Sequence, residues 1–409
     1  MADTYILGGA QSDFARNWHR EERSLFDLFS GAVTQALAAS DIDPSEIEVG
    51  HVGNFVAERF ADQGLLGGFF GHIHPDLAGL PTSRHEGACA SGSLAIMAAM
   101  ADLEAGRYEL ACVIGVELMR NVPGQIAADH LGTAAWAGRE TQGRTYVWPS
   151  MFSDIAEEYD QRYGLKREHL SALAKKNFHN AKANPNAQTR EWTFTEESFT
   201  DSDEANPVIE GWMRRQDCAQ VTDGAACLIL ATPERAKAYA DQKGISLDSL
   251  PRISGWGHCT SPMLLDEKLG STRGQTDYMF PWTRRAITDA YARAGLAGPD
   301  DLDGIETHDC FTITEYSAIE HFGITAPGEA WKAIENGVTE KSGRLPMNAS
   351  GGLIGLGHPV GATGVRMVLD CAKQVTGQAG DMQIEGARTM ATYNVGGAAT
   401  ANCTFIVTA

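Results

Sequence analysis

The 409-residue chain predicts an α/β fold built from two similar halves, with a loop domain inserted in the first. Three observations carry this. Cys112–Val116 and Ala225–Ala231 are short runs that are apolar on both faces, as strands covered on each side must be. Between them, from about Arg120 to Arg215, the texture changes: Trp, Asn, Arg and Gln become frequent and such runs become scarce. The closing stretch Ala399–Val407 has the character of Ala225–Ala231 again, which suggests one α/β unit used twice.

Taken in order, Thr4–Ala10 reads as a strand ending in a turn, and Leu25–Ala38 as a helix. Val49–Val56 fits a strand. Ala90–Leu103 carries small and apolar residues at helical spacing and stops near Gly106. After the insertion and the strand Ala225–Ala231, the polar stretch Asp241–Leu250 reads as a linker to the second unit. There, Ala286–Ala294 is a helix, Ile305–Thr307 a short strand, Ser317–Phe322 a helix and Ala399–Val407 the last strand.

Composition narrows the function. A hydrophobic content of 43% in a chain this long supports a large core of more than one packed unit. No apolar run reaches the roughly 18 residues of a membrane span, and Met1–Tyr5 lacks the basic and apolar regions of a secretory signal, so a cytoplasmic protein is expected. The net charge of −20 argues against nucleic-acid or membrane partners, since both are anionic. Eight cysteines without metal-ligand spacing are expected to be free thiols, and no metal is expected.

Three segments stand out chemically. In Glu86-Gly87-Ala88-Cys89-Ala90-Ser91-Gly92-Ser93 a cysteine sits among small residues just before an Ala-rich helix. Small neighbours admit a ligand to the sulfur, and a helix N-terminus favours thiolate. An isolated cysteine of this kind is more often a buried hydrophobe, so context must decide. Asn348–Arg366 supplies context: its glycine density suits backbone passing close to a ligand, with His358 facing an open site. It matches neither a Walker nor a dinucleotide pattern. Third, Glu306-Thr307-His308-Asp309-Cys310-Phe311-Thr312 follows a strand, so its polar side chains can project from a strand end into a cleft. Adjacent residues make a poor metal cage.

Together these segments resemble the thiolase family, and the resemblance runs through essentially the whole chain. Its most specific part is the pattern Asn-x-x-Gly-Gly-x4-Gly-His-Pro-x-Gly-x-x-Gly-x-Arg from Asn348 to Arg366. Cys89 matches the family nucleophile, and Asp223-Gly224-Ala225-Ala226 resembles the stretch that follows the family's loop domain. His308-Asp309-Cys310-Phe311 departs from the Asn-Glu-Ala-Phe of common bacterial thiolases and looks like the His-Asp-Cys-Phe of the sterol-carrier-protein type. Where common thiolases carry an acid/base cysteine in Cys-x-Gly, this chain has Asn394-Val395-Gly396. Asparagine exchanges no proton at neutral pH, so the subgroup's acid/base cysteine, Cys310 here, takes the task.

The resemblance implies a layered α-β-α-β-α fold. Its N-terminal half would span 1–119 and be completed by about 216–249, a loop domain over 120–215 would cover the site, and the C-terminal half would span 250–409. It implies acyl transfer through Cys89, with His358 as base to the sulfur, Cys310 handling the α-proton, and His308 with His358 stabilising an enolate. The backbone N–H groups of Cys89 and Gly396 would form a second oxyanion hole, and Asn348 and Gly357 would belong to the substrate loop. Coenzyme A is implied as substrate, with no permanently bound cofactor, acyl-CoA as the other ligand, a homodimer or homotetramer, and a small acyl-binding partner protein as a further option. Two other readings stay open: a lyase or Claisen synthase on the same fold, and a non-catalytic acyl-CoA-binding protein. An intact nucleophile and base favour the enzyme that uses both.

Overall fold

The computed structural model describes residues 3–409. Its centre is a nine-stranded sheet. The strands are β1 (Thr4–Gln11), β2 (Val49–Gly53), β3 (Thr82–His85), β4 (Leu110–Glu117), β7 (Gly224–Ala231), β8 (Arg252–Thr260), β9 (Gly304–Thr307), β10 (Thr389–Gly396) and β11 (Ala401–Thr408). A separate hairpin in the insertion supplies β5 (Val208–Glu210) and β6 (Met213–Arg214). The order β3-β2-β4-β7-β1-β8-β11-β10-β9 reads nearly the same from either edge. On one side β2 and β4 are parallel while β4–β7 and β7–β1 are antiparallel; on the other, β9 and β10 are parallel while β10–β11 and β11–β8 are antiparallel. Even the edge strand β3 has a counterpart, a single parallel bridge from Ile305 to Met347. The two halves therefore share one topology, and they meet at β1 and β8, paired through Thr4–Ile253 and Tyr5–Arg252.

Alternation along the strands builds the layers. In β4, Leu110, Cys112, Ile114 and Val116 pack against the helix Leu25–Ser40, while Ala111 and Val113 face the helices Ser91–Glu104 and Thr363–Val375. In the other half, Phe405 and Val407 of β11 face that same pair of helices, while Ile406 looks outward to the helices Pro281–Ala294 and Thr312–Phe322. A strand with period two thus buries both faces, and because the two halves of the one sheet pack on the same middle helices, the layers run helix, half-sheet, helix, half-sheet, helix.

The insertion is more helical than its composition suggests. Gly124–Leu131, Val147–Tyr163 and Arg167–Ala181 are helices. In the second, Val147, Met151, Phe152, Ile155, Ala156 and Tyr159 are buried at helical spacing and join the outer core of the C-terminal half. The third docks through a buried polar knot: Lys176 Nζ pairs with Glu315 and donates to the Met347 carbonyl at 3.0 Å, while Asn177 Nδ2 donates to Asp309 at 2.8 Å and to Glu315 at 2.5 Å. Part of the expected linker Asp241–Leu250 is the end of the helix Pro233–Lys243, whose last turn is closed by Gly244 in the left-handed region. Among the described residues no helix is long and apolar enough to cross a membrane.

Candidate active site

Cys89 lies in a single 3-10 turn, Ala88–Ala90, at the head of the helix Ser91–Glu104. Ala88 holds φ of +50°, a conformation a non-glycine residue adopts at some cost. Three bonds keep it there: Ala88 N–H donates to Glu86 at 2.6 Å, Ser91 Oγ donates to the Ala88 carbonyl at 2.6 Å, and Gly87 N–H donates to Ser91 Oγ at 3.0 Å. Below this turn, Glu117 at the end of β4 is fully buried and accepts from the backbone N–H groups of Phe55, Val56 and Gly361 and from Asn54 Nδ2. One carboxyl thus fastens the exit of β2 to the loop that carries His358.

The opposite half supplies two imidazoles. His308 follows β9 directly and is fully buried, and His358 follows the short helix Gly352–Leu356. Gly357 turns the chain between them with φ of +122°, which a side chain would oppose. The rings meet edge to face, 5.1 Å between centroids, and one ligand-type atom from each of Cys89, His308 and His358 lies within 4.8 Å of the others. The Nε2 atoms of both histidines are buried with no hydrogen-bond partner; His358 lines the cavity beside Cys89, whereas His308 does not reach its wall. Cys310 joins Cys89 and His358 on the wall of one cavity of about 430 Å3, otherwise lined largely by apolar side chains such as Phe55, Met119, Leu131, Trp148, Phe152 and Phe311. Phe152 of the insertion stacks on Phe311 at 4.4 Å, which seats the insertion against the Cys310 loop.

A strap that follows the insertion crosses the loops of Cys310 and His358, and nothing in the sequence motifs announced it. Cys218 bridges to Phe311, Ala219 N–H donates to the Cys310 carbonyl at 2.8 Å, Val221 bridges to His358, and Thr222 Oγ1 accepts the His358 N–H at 3.0 Å. Two further partners were equally silent. Thr363 Oγ1 contacts His358 Nδ1 at 2.7 Å, and Asn394, noted in the sequence only as a missing cysteine, contacts His308 Nδ1 at 3.0 Å.

Some expectations are corrected here. The helix N-terminus was expected to favour thiolate at Cys89, yet burial pushes its pKa up to about 12, with Glu117 adding to the rise; the Gly397 N–H directed at the sulfur opposes this only in part. Burial also holds Cys310 well above the ordinary thiol range, with Cys89 adding to it, and drives His358 down to about 3 and His308 well below its usual value. All four shifts favour the neutral forms of these side chains. Asn348 is not on the cavity wall: it is fully buried with φ of +58°, accepts the Thr307 N–H at 2.8 Å and donates to Glu315 at 3.0 Å, so it holds the end of β9. Of the glycines after Asn394, Gly397 is the one on the wall and directed at the sulfur, while Gly396 is where β10 touches the nucleophile turn, a Cβ there falling 2.0 Å from the Gly87 carbonyl oxygen.

A sulfur and two imidazoles so placed could also meet a soft metal ion. A second cluster, Glu168, His169 and Glu335, contains Lys166 Nζ at 3.5 and 3.6 Å from its two carboxylates, and that charge competes with any cation. A strained nucleophile turn facing bare imidazoles in an apolar cavity fits a neutral acyl thioester better. The comparison with known proteins agrees: residues 4–234 match the family pattern "Thiolase, N-terminal domain", and residues 269–409 match "Thiolase C-terminal domain-like".

The chain belongs to the thiolase family.

This thiolase is 31% identical to the acetyl-CoA acetyltransferase of Methanothermobacter thermautotrophicus, over 97% of each chain. It is 26% identical to human sterol carrier protein 2, over 96% of this chain and 69% of that protein. In fold it is similar to an Ltp2-ChsH2(DUF35) aldolase, with a TM-score of 0.77 and 22% identity over 100% of this chain and 98% of that one. It is also similar to human mitochondrial 3-ketoacyl-CoA thiolase in complex with CoA, with a TM-score of 0.68 and 17% identity over 100% and 98%. The thiolase is accordingly an acyltransferase enzyme, as the sequence led one to expect.

Proposed function

We propose that the enzyme exchanges acyl groups between 3-ketoacyl-CoA and coenzyme A through an acyl-Cys89 intermediate, with Cys310 as the acid/base at the α-carbon. One observation carries this: Cys89 and both histidines converge within 4.8 Å, while Cys310 shares the cavity wall. In thiolysis, His358 Nε2 takes the Cys89 proton and the thiolate attacks the 3-keto carbon. The C2–C3 bond breaks, its electron pair becomes the enolate of the departing acetyl-CoA, and Cys310 S–H protonates it at C2. Coenzyme A then gives its thiol proton to the Cys310 thiolate and attacks the acyl-Cys89 carbonyl. Cys89 leaves as thiolate and recovers its proton from His358. Splitting the reaction at a covalent intermediate avoids one high barrier in favour of two lower ones.

Because neither thiol is ionised at rest, charge forms only as substrate arrives, and donors aimed at the developing oxyanion matter correspondingly more. The Gly397 N–H directed at the sulfur supports a hole at the nucleophile made with the Cys89 N–H, and His308 supports the enolate side. The apolar cavity favours an acyl group with a substantial hydrocarbon part. A cytoplasmic place in lipid metabolism, dimeric assembly and a small acyl-binding partner complete the proposal; the name of the like-folded Ltp2-ChsH2(DUF35) aldolase is consistent with such a partner.

The test is incubation with acetoacetyl-CoA and coenzyme A. Substrate loss together with an acetyl mass on the Cys89 peptide is expected, and Cys89→Ala is expected to abolish both. Turnover that survives Cys89→Ala would defeat the proposal.

A further inference from the structure

The backs of the two site histidines are tied to partners of opposite kind, and those partners decide where each ring carries its proton. Asn394 Nδ2 lies 3.1 Å from the Cys89 carbonyl oxygen, which can only accept, so that end of the amide must be the NH2. Its other end, Oδ1, accepts the Ser93 hydroxyl at 2.8 Å, which agrees. The remaining N–H of the same NH2 meets His308 Nδ1 at 3.0 Å, and an amide NH2 cannot accept, so Nδ1 must offer a lone pair. The Val395 N–H approaches the same nitrogen at 3.5 Å. With Nδ1 bare, the neutral ring carries its proton on Nε2, a buried atom without a partner, in a ring that has a nitrogen within 4.8 Å of a ligand-type atom of Cys89 and of His358.

His358 is held the other way round. Thr363 Oγ1 reaches both the Pro359 carbonyl, at 3.1 Å, and His358 Nδ1, at 2.7 Å; with its one proton given to the carbonyl, it accepts from Nδ1. Nδ1 therefore holds the proton and the unpartnered Nε2 is a lone pair.

We propose that Asn394 is a positioning residue that locks His308 as the Nε2–H tautomer, so that the site sets a fixed donor, His308, against a fixed acceptor, His358. This rests on the proposed function, in which an enolate oxygen forms beside His308. His358 alone is then free to take the Cys89 proton, and His308 cannot compete for it. Once His358 has taken that proton its Nε2 also becomes a donor, so a second hydrogen bond to substrate oxygen appears only after the nucleophile is spent. The asparagine in place of a catalytic cysteine is thus a working group, joined through Ser93 to the helix that Cys89 heads.

Imidazole 15N NMR of the whole enzyme, labelled at histidine and assigned with His308→Gln and His358→Gln, tests this directly. Expected are a pyridine-type Nδ1 with a pyrrole-type Nε2 for His308, and the reverse for His358. Either ring in the other tautomer, or both alike, would overturn the proposal, and this measurement needs neither turnover nor a variant at position 394. In Asn394→Ala, exchange of the α-protons of acetyl-CoA with solvent is expected to fall about 100-fold, the loss typical of one oxyanion donor. Acylation of Cys89 should fall far less than exchange, because the variant removes a partner of the Cys89 carbonyl but leaves His358 untouched. Native rates of exchange in that variant would also overturn it. In Asn394→Asp the His308 Nδ1 signal should become pyrrole-type, since a carboxylate can only accept. A native enzyme whose Cys89 is never acylated would defeat the proposed function while leaving the tautomer result to stand or fall by NMR.

Discussion

At the level of single residues, two opposing effects act on the Cys89 sulfur. Helix and backbone N–H groups favour the anion, while burial and the Glu117 carboxyl disfavour it, and the outcome is a pKa near 12. A thiol with a raised pKa is protonated below it, so its thiolate fraction climbs tenfold per pH unit across the neutral range. His358, lowered to about 3, is neutral throughout that range and adds no step. Alkylation of Cys89 by iodoacetamide is therefore expected to accelerate about tenfold per unit from roughly pH 6 to 9, with no plateau. A plateau near neutrality would instead reveal a preformed thiolate–imidazolium pair. Cys310 separates by a different test. Its replacement by Ala should slow carbon–carbon bond cleavage at least about 100-fold, the scale of general acid–base catalysis, and slow acyl-Cys89 formation from acetyl-CoA much less, since the coenzyme A thiolate can depart without the Cys310 proton whereas a carbanion cannot; mass spectrometry and steady-state rates read the two separately.

At the level of elements, the site depends on close backbone approach and on buried charge. Gly396 brings β10 against the nucleophile turn, and a methyl group there would meet the Gly87 carbonyl at 2.0 Å. Gly396→Ala must displace the turn, so a fall in kcat of more than about 100-fold is expected, a misplacement effect read from kinetics on protein that still melts cooperatively. Lys176 and Glu315 pair in the interior between the inserted helix and the C-terminal half, with side-chain exposures of 2% and 0%. Lys176→Met strands the carboxylate and is expected to destabilise the fold by about 3–5 kcal/mol in urea titration, whereas Lys176→Met with Glu315→Leu should recover much of that loss.

This is also the scale at which the sequence was readable or not. Strands such as β4 and β7, apolar on both faces, announce themselves, and so do motifs whose residues are consecutive, as around His308 and His358. The helix Val147–Tyr163 was hidden because its buried side chains are interleaved with Trp148, Asp154 and Glu157, which give the segment a polar average despite its spacing. β8 and β10 went unmarked for a related reason: Gly255, Gly257, Thr392 and Asn394 interrupt the apolar pattern. In β8 the glycines are required by packing, since a Cβ at Gly257 would lie 1.8 Å from the Ala286 carbonyl oxygen. Asn394 and Thr363 could not be found from local pattern, because each acts on a histidine through a fold-dependent contact. Asn348 misled for the opposite reason, a motif residue that serves the backbone of β9.

At the level of the whole molecule, β3 closes one end of the sheet with its outer side unpaired, and Thr82 and Ser83 there are exposed. An open edge of this kind invites pairing with another chain. Light scattering is expected to give twice the 44.0 kDa chain mass or a multiple of that, and Thr82→Pro, which removes a backbone donor on the unpaired side of β3, is expected to shift it towards the single chain. A native enzyme that runs as a monomer would exclude pairing through this edge, and a dimer that the substitution leaves intact would place the interface elsewhere.

The mirror order of the strands has one more implication. The helices Ser91–Glu104 and Thr363–Val375 occupy the same station in their respective halves, each following the edge position and preceding the inner parallel strand, and they pack side by side in the middle layer. One is headed by the Cys89 sulfur; the other is preceded by His358, the imidazole proposed to deprotonate it. If the halves descend from one ancestor, doubling the gene let twin segments specialise, so that the nucleophile and its base are divergent copies of a single piece of chain.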